Sequence, residues 1–519
     1  MTQTYSQLER KRVFLTGATG AMGQASMERI LLDKPGVTLV VLARPSKRNR
    51  DVLTPLQSKY GARLVVVWGD LTNYRDVEKC VRGADLVLHV GALVSPQADY
   101  HPQLAMQVNY GSTMNIITAI KELGQKDQTA LVYIGTIAET GDRMPPIHWG
   151  RVGDPIKPSV YDYYAVSKVA AERAVIESGL TRWASLRQTG IIGPKMARIQ
   201  DAIMFHNCLD NVLEYVSDQD SAWAMADATD DLPADFWCHV YNIGGGETCR
   251  VSTWEMYQEL YGSMGIRHIQ KIMDSRWIAT RNFHGTYYLD SDKLERYLYF
   301  RHDSMRYFYD EALKVAGVGL APMRALCSTE LGENLIASSM RANFQKLART
   351  SHGTLHFTED GLEDRVAAYW GSRDAWEKIP PLEEFEHFTD WDTVVQIDHG
   401  YDESKPEADL TLADVQAAAS FRGGECLSTS MATGDWSTKL RFRCAFGHEF
   451  EASPRCVLEG GHWCPVCERQ SWNYYARAER DPFFAQVWTP LHPADEPHRE
   501  WGKVVSEKDV VWGTDSVQV

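Results

Sequence analysis

Short, almost wholly apolar runs alternate with amphipathic stretches along the first part of the chain. Residues 12–16, 37–43, 64–68, 86–90 and 130–134 are the apolar runs, and residues 22–32 and 112–123 are among the helical patterns between them. Strands that are apolar on both faces are buried on both, and their alternation with helices makes a parallel sheet. The pattern predicts an α/β fold of Rossmann type, a doubly wound parallel sheet. From about residue 195 the alternation loosens into mixed aromatic and acidic stretches with a turn at Tyr241 to Gly246, which predicts a small interleaved substrate lobe completing a first unit, residues 1–325. Residues 326–405 read as a helical extension, with the charged, Pro- and Gly-containing stretch 398–409 as a linker. Thr411-x-x-Asp414 then opens a short helix in the manner of a capping box, within a third unit, residues 406–519.

Composition narrows the function classes. Of 519 residues, 44 % are hydrophobic, which supplies a large core. The net charge of −15 makes a poor match for phosphate backbones, so no nucleic-acid partner is expected. No apolar run reaches the roughly 20 residues of a membrane span, so no membrane partner is expected either. The polar first dozen residues lack the apolar stretch of a signal peptide. Ten cysteines are too dilute for a disulfide framework, and a reducing, cytoplasmic location is expected. Cys80, Cys208, Cys238, Cys249 and Cys327 read as buried thiols, and Trp472, Trp488, Trp501 and Trp512 as core packing.

The first strand runs into Thr16-Gly17-Ala18-Thr19-Gly20-Ala21-Met22-Gly23, which opens a helix. Glycines there allow a tight turn and close approach of a pyrophosphate, and the helix N-terminus offers N–H groups to it. Gly17, Thr19, Gly20, Ala21, Met22 and Gly23 are therefore candidate cofactor contacts. An acid at the end of the second strand would hold a ribose 2′-hydroxyl. The position is Ala43, followed by Arg44 and then Lys47, which favours a 2′-phosphate and so NADP(H), with NAD(H) as the alternative. Asp70, followed by Leu71 after the third strand, is placed to meet the adenine.

Tyr164 and Lys168 are four residues apart in a helical stretch, residues 163–178, and share one face. A nearby ammonium favours phenolate, which would bring the tyrosine into range for proton transfer to a carbonyl or alcohol oxygen. The fifth strand ends in Gly135-Thr136, and the Thr136 hydroxyl is a candidate partner for the same oxygen.

Together these residues resemble the extended short-chain dehydrogenase/reductase family, also described as NAD-dependent epimerase/dehydratase. The likeness covers about residues 11–325 and includes His89-Val90-Gly91-Ala92, Val108-Asn109-Tyr110-Gly111-Ser112 and the stretch from Leu186-Arg187 to Gly193-Pro194. It implies that Tyr164 is the general acid/base, that Lys168 holds the nicotinamide ribose and tunes Tyr164, and that Thr136 binds the reacting oxygen. It places Gly91 and Ala92 at the cofactor and gives Asn109 a supporting role for the active-site helix. Dehydratases of this family carry an Asp-Glu pair directly after the threonine, where this chain has Ile137-Ala138. Its sugar-nucleotide epimerases usually hold NAD through the acid that Ala43 replaces. The expected function is an NADP(H)-dependent oxidoreductase acting on a small-molecule carbonyl or alcohol, with an NAD-dependent sugar-nucleotide epimerase as the alternative. A dinucleotide sensor is the non-catalytic reading. Loops after Gly193 and residues 204–214 are expected to form the substrate pocket.

Near the C-terminus, Cys444-x-x-x-His448 precedes Cys464-Pro-Val-Cys467. Three thiolates and an imidazole make a closed tetrahedral set suited to structural zinc, and the run resembles a zinc ribbon. Cys426, Cys456 and His462 are nearby substitutes. Residues 421–480 hold eight Lys and Arg against seven Asp and Glu, so docking or assembly into a homo-oligomer is expected of this module rather than nucleic-acid binding. Losing its metal is expected to leave the dinucleotide site intact.

Overall fold

The computed structural model describes residues 10–469, 473–502 and 505–512. Its centre is a seven-stranded, all-parallel sheet. In chain order the strands are β1 (Lys11–Leu15), β2 (Val37–Ala43), β3 (Leu64–Trp68), β4 (Leu86–His89), β5 (Ala130–Thr136), β6 (Trp183–Gln188) and β7 (His239–Ile243). Across the sheet they run β7-β6-β5-β4-β1-β2-β3. The alternation of β1 explains the two-sided covering. Val13 and Leu15 enter one core with Met27 and Ile30, while Phe14 enters the other with Val40 and Ile116.

The connecting helices used below are α1 (Ala21–Asp33), α2 (Lys47–Tyr60), α3 (Tyr74–Val81), α4 (Ser112–Glu122) and α5 (Tyr163–Ile176). The chain crosses from β3 back over β1 to β4, so the strand order reverses between β1 and β4. Ligands of such sheets bind outside the strand C-termini at this switch point.

The remaining chain is built onto this sheet. Helices α6 (Glu330–Ala348) and α7 (Glu363–Trp370) belong to the extension. Ala337, Ala348 and Leu355 of the extension share a core with Ile192, Phe205 and Tyr257 of the lobe. The C-terminal module carries an antiparallel hairpin, β8 (Leu440–Arg443) with β9 (Glu449–Ala452). Its Phe442 and Trp463 are continuous with the core under β1 and β5. Residues 398–409, read as a linker, are held in place: buried His399 lies 3.0 Å from Asp154 and 2.8 Å from Glu403.

Cys80, Cys208, Cys249 and Cys327 are buried as expected, whereas Cys238 is only half-buried because it sits in the turn entering β7. Trp488 and Trp501 are core residues, but Trp512 is 37 % exposed, edge-on to Tyr110. Trp472 lies outside the described residues. Among the described residues no helix is long and apolar enough to cross a membrane.

Candidate active site

The glycine loop is drawn tightly against the switch point. Gly17 has φ +70°, and a Cβ there would lie 2.7 Å from the Gly91 Cα. A Cβ on Gly23 would lie 2.1 Å from the Gly17 carbonyl oxygen, so helix α1 meets the loop at a distance only glycine permits. Leu71 fills the other side of Gly91. Gly17, Gly23, Leu71 and Gly91 are thereby brought together, with Thr19, Gly20, Ala21, Met22 and Ala92 flanking them in sequence.

The end of β2 is tied to this loop by Asn49. Thr19 donates to the Asn49 side chain at 2.9 Å, and Asn49 donates to the Arg44 carbonyl at 2.8 Å. Arg44 is exposed and has no carboxylate partner among the described residues. Lys47 is instead paired with Asp51 at 2.9 Å, largely in solvent. A cation the sequence reading missed is Lys195, whose Nζ donates to the Gly20 carbonyl at 2.9 Å and which lies close enough to Arg48 for mutual repulsion. Asp70 spends one carboxylate oxygen on the amide and hydroxyl of Thr72, at 2.9 and 2.8 Å.

Thr136 and Tyr164 meet at the C-terminal edge of β5, and Lys168 of α5 reaches Ile134 of the same strand. The Thr136 hydroxyl is hydrogen-bonded to the Tyr164 phenol, which favours the phenolate, but burial outweighs it and holds the phenol above its ordinary range. Lys168 donates to the Ile134 carbonyl at 2.6 Å and lies over the Tyr133 ring at 4.1 Å. Desolvation brings its ammonium down to about 8, against the pull of Glu139 and Glu172. The expected lowering of the phenol by this ammonium is therefore not what the geometry delivers.

A chain of buried polar groups joins the glycine loop to helix α5. The Gly91 amide donates to Thr16 Oγ1 at 2.8 Å, so that hydroxyl turns its proton to His89 Nδ1, 2.9 Å away. His89 Nε2 then donates to Thr113 at 3.0 Å, and Thr113 to the Asn109 carbonyl at 2.7 Å. Burial holds His89 down at about 3, so it is neutral. The Asn109 side chain bonds both backbone groups of Leu93 and, at 2.8 Å, Ser167, whose hydroxyl donates to the Tyr164 carbonyl. Asn109 thereby bridges Leu93 and the first turn of α5.

Beneath Lys168 lies a charged cluster that the sequence reading missed. Arg187 grips Glu172 at 2.7 and 3.1 Å and approaches Glu139 at 3.6 Å. Glu139 also accepts from the Thr136 amide at 3.0 Å. Burial and the neighbouring Glu172 hold Glu139 well above the usual carboxylate range, while Arg187 holds Glu172 well below it despite burial. His462 Nε2, from the C-terminal module, reaches Glu172 at 3.1 Å, so it is committed here rather than to the cysteines. Lys168-x-x-x-Glu172 is a spacing that was available in the sequence. The approach of Glu139 and His462 is tertiary and was not.

The cleft beside the first turn of α5 is lined by Asp201, Ile203 and His206, from the stretch after Gly193. It is also lined by His352, Arg365 and Tyr369 of the helical extension. Asp99 in this cleft accepts from the amides of Tyr163 and Tyr164, at 3.1 and 3.4 Å.

Cys444, His448, Cys464 and Cys467 converge, with their ligand atoms all within 4.8 Å of one another. Cys444 Sγ is 3.8 Å from Cys467 Sγ and 3.4 Å from His448 Nδ1. A tetrahedron with metal–sulfur bonds of about 2.3 Å has edges of about 3.8 Å, so the donor set fits a closed metal site.

The parallel sheet, its switch point and the glycine loop define a Rossmann-type fold. Residues 13–219 match the model of the NAD dependent epimerase/dehydratase family. UDP-glucose 4-epimerase of Rickettsia rickettsii is 28 % identical over 115 residues, covering 21 % of this chain and 32 % of that protein. D-erythronate dehydrogenase of Cupriavidus necator is 29 % identical over 165 residues, covering 31 % of this chain and 48 % of that one. The match thus spans about a third of the first relative and about half of the second. A crystal structure of a double mutant of DesIV, a dTDP-glucose 4,6-dehydratase from Streptomyces venezuelae, with NAD bound, aligns with 60 % of this chain and 98 % of its own at 21 % identity and a TM-score of 0.47.

Proposed function

We propose that the chain is an NAD(P)-dependent oxidoreductase of the extended short-chain dehydrogenase/reductase type, with Tyr164 exchanging a proton with a substrate carbonyl or alcohol oxygen. The observation that carries this is the Thr136–Tyr164 hydrogen bond at the C-terminal edge of β5, with Lys168 donating to Ile134 of the same strand. The family match over residues 13–219 supports it. The bound nicotinamide would supply the hydride chemistry. Gly17 to Gly23 and Gly91 would hold its pyrophosphate, and Lys168 is the cation available for its ribose. Thr136 orients the substrate oxygen toward the phenol, and the buried His89–Asn109 chain fixes the helix turn that carries Tyr164.

Tyr164→Phe removes the proton and keeps the ring. Turnover on a reactive substrate should fall about 10²-fold or more, with NAD(P)H affinity unchanged. Wild-type turnover in this variant overturns the assignment.

NADP(H) is the preferred cofactor in this reading. Ala43 offers no carboxylate, Arg44 has no carboxylate partner among the described residues, and Lys195 adds positive charge at Gly20. A charge-assisted contact to a 2′-phosphate amounts to roughly 1.5–3 kcal/mol, so NADPH should bind at least about tenfold more tightly than NADH in calorimetric titration. Tighter NADH binding favours the second reading, an NAD-dependent sugar-nucleotide epimerase, which the Rickettsia relative supports. The two also differ in cofactor turnover, because an epimerase returns the hydride and shows no net nicotinamide absorbance change.

The Cys444, His448, Cys464 and Cys467 set is proposed to hold one structural zinc. Four strong ligands leave no position for water or substrate. Elemental analysis of protein purified without chelator should give about one zinc per chain, and a metal-free result overturns this.

A further inference from the structure

The cleft at the start of α5 is small, about 40 Å³, and its backbone is strained. Five non-glycine residues among those described have positive φ, and three of them line this one cleft: Tyr161 at 71°, Asn282 at 72° and His352 at 70°. Such conformations cost energy and collect where a site over-determines them.

The charges in the cleft are unequally committed. Asp162 caps α5 through the Ala165 amide and lies 3.3 Å from His284. Asp201 accepts from Tyr100 at 3.0 Å and from the Ile203 amide at 3.0 Å. Asp99 receives two amides, and burial beside Asp162 brings its carboxyl up to about 7. His206 is pushed down to about 4 by burial and is neutral. Arg365 is the exception. Its guanidinium lies 3.5 Å over the Tyr161 ring and is held by that stacking, while none of its donors has a carboxylate or carbonyl partner among the described residues.

We propose that Arg365 is the specificity residue of the substrate site, receiving a carboxylate carried by the alcohol or carbonyl substrate while the reacting carbon lies toward Tyr164. This rests on the oxidoreductase reading for the identity of the cleft, and it names the substrate class as hydroxy or keto acids. A planar fork stacked on a ring presents two parallel donors to a carboxylate. The cleft accommodates a group of that size, and the neighbouring aspartates, already turned to protein donors, leave the guanidinium as the free charge. The arginine comes from the helical extension, outside the stretch that matches the family model.

The test uses full-length protein loaded with NADPH, titrated with glycerate and gluconate, with their uncharged counterparts glycerol and sorbitol, and with glycerol 3-phosphate. Binding is read by nicotinamide fluorescence and melting temperature. The two acids should bind and the polyols should not. Arg365→Gln should weaken acid binding on the order of 10- to 100-fold with NADPH affinity unchanged. Arg365→Lys, which keeps the charge but loses the fork, should weaken it several-fold and carries the test if the glutamine variant does not fold. The proposal is overturned if neither acid binds, if the polyols bind as well as the acids, if the variants bind like wild type, or if glycerol 3-phosphate binds more tightly than both acids. Arg365-dependent acid binding, with no hydride passed from either hydroxy acid to NADP+ when the oxidised cofactor replaces NADPH, would sink the oxidoreductase reading and leave this one standing. Turnover of neutral alcohols with an indifferent Arg365 would do the reverse.

Discussion

His89 ends β4 at the point where the chain turns toward Gly91, and it shows what single buried polar groups do in this site. Both ring nitrogens are engaged by hydroxyls, and burial keeps the ring neutral to about pH 3. In the unfolded chain a histidine takes up a proton near 6.5. Between those values the unfolded state binds one more proton than the folded state, so His89 makes stability fall as pH falls, by up to about 1.4 kcal/mol per pH unit. His89→Gln lacks this dependence. Whatever stability advantage the wild type holds at pH 7.5 should shrink between pH 6.5 and 4.5, measured by urea unfolding of both proteins. Parallel pH profiles would show that His89 is protonated in the fold. Glu139 makes the complementary point about reading sequence. Ile137 and Ala138, the two residues after Thr136, carry no acid, yet the third residue, Glu139, is a fully buried carboxyl. Its partners Glu172 and Arg187 lie dozens of residues on, so no local pattern marks it as part of the site.

Elements were legible where their cause is local. Apolar runs gave five of the seven sheet strands to within two residues, as in β5, read as 130–134 and found as Ala130–Thr136, but not β6 or β7, whose Tyr241–Ile243 end was read as a turn. Helix α5, read as 163–178, ends at Ile176 because the chain turns at Glu177 and Ser178. What periodicity does not convey is how such an element is held. The first turn of α5 depends on Asn109, which joins Leu93 to Ser167 and through it to Tyr164. Asn109→Ala leaves the Leu93 amide without an acceptor and frees the turn. A loss of about 2–3 kcal/mol is expected from the orphaned groups, with turnover reduced more than NAD(P)H affinity. Equal losses in both would place the role of Asn109 in the general fold rather than in positioning Tyr164. The glycine loop sits at the same scale. Gly17→Ala would force a Cβ into Gly91 at an unfavourable φ, and cofactor binding should be lost in fluorescence titration while the far-UV spectrum persists.

At the scale of the whole molecule, the parts the sequence divides are joined by buried contacts. The sequence marks the C-terminal module by its cysteines, but a ligand pattern says nothing about what the rest of the module touches. The structure seats residues 453–463 on the back of α5 and β6. Ser453 donates to Glu177 at 2.8 Å, Arg187 to the Gly460 carbonyl at 2.6 Å, and Arg173 to the Trp463 carbonyl at 2.9 Å. His462 is fully buried against Glu172, one helical turn beyond Lys168. Cys464 follows two residues later, so metal binding and the seating of His462 are fixed by the same short segment. This revises the expectation that the dinucleotide site is indifferent to the metal. Under the zinc reading, Cys464→Ser or treatment with a chelator frees a segment whose His462 and Gly460 carbonyl partner Glu172 and Arg187 under the active site. Leaving Glu172 and Arg187 with unsatisfied partners is costly in a buried setting. The expected result is one cooperative melting transition for wild type, lowered on the order of 5–10 °C by metal removal, with weaker NAD(P)H binding at 25 °C. Calorimetry with and without NADPH separates the alternatives. If the metal-free protein melts in two steps, and the step that NADPH stabilises has not moved, the module is an independent attachment and His462 contributes nothing to the site it touches.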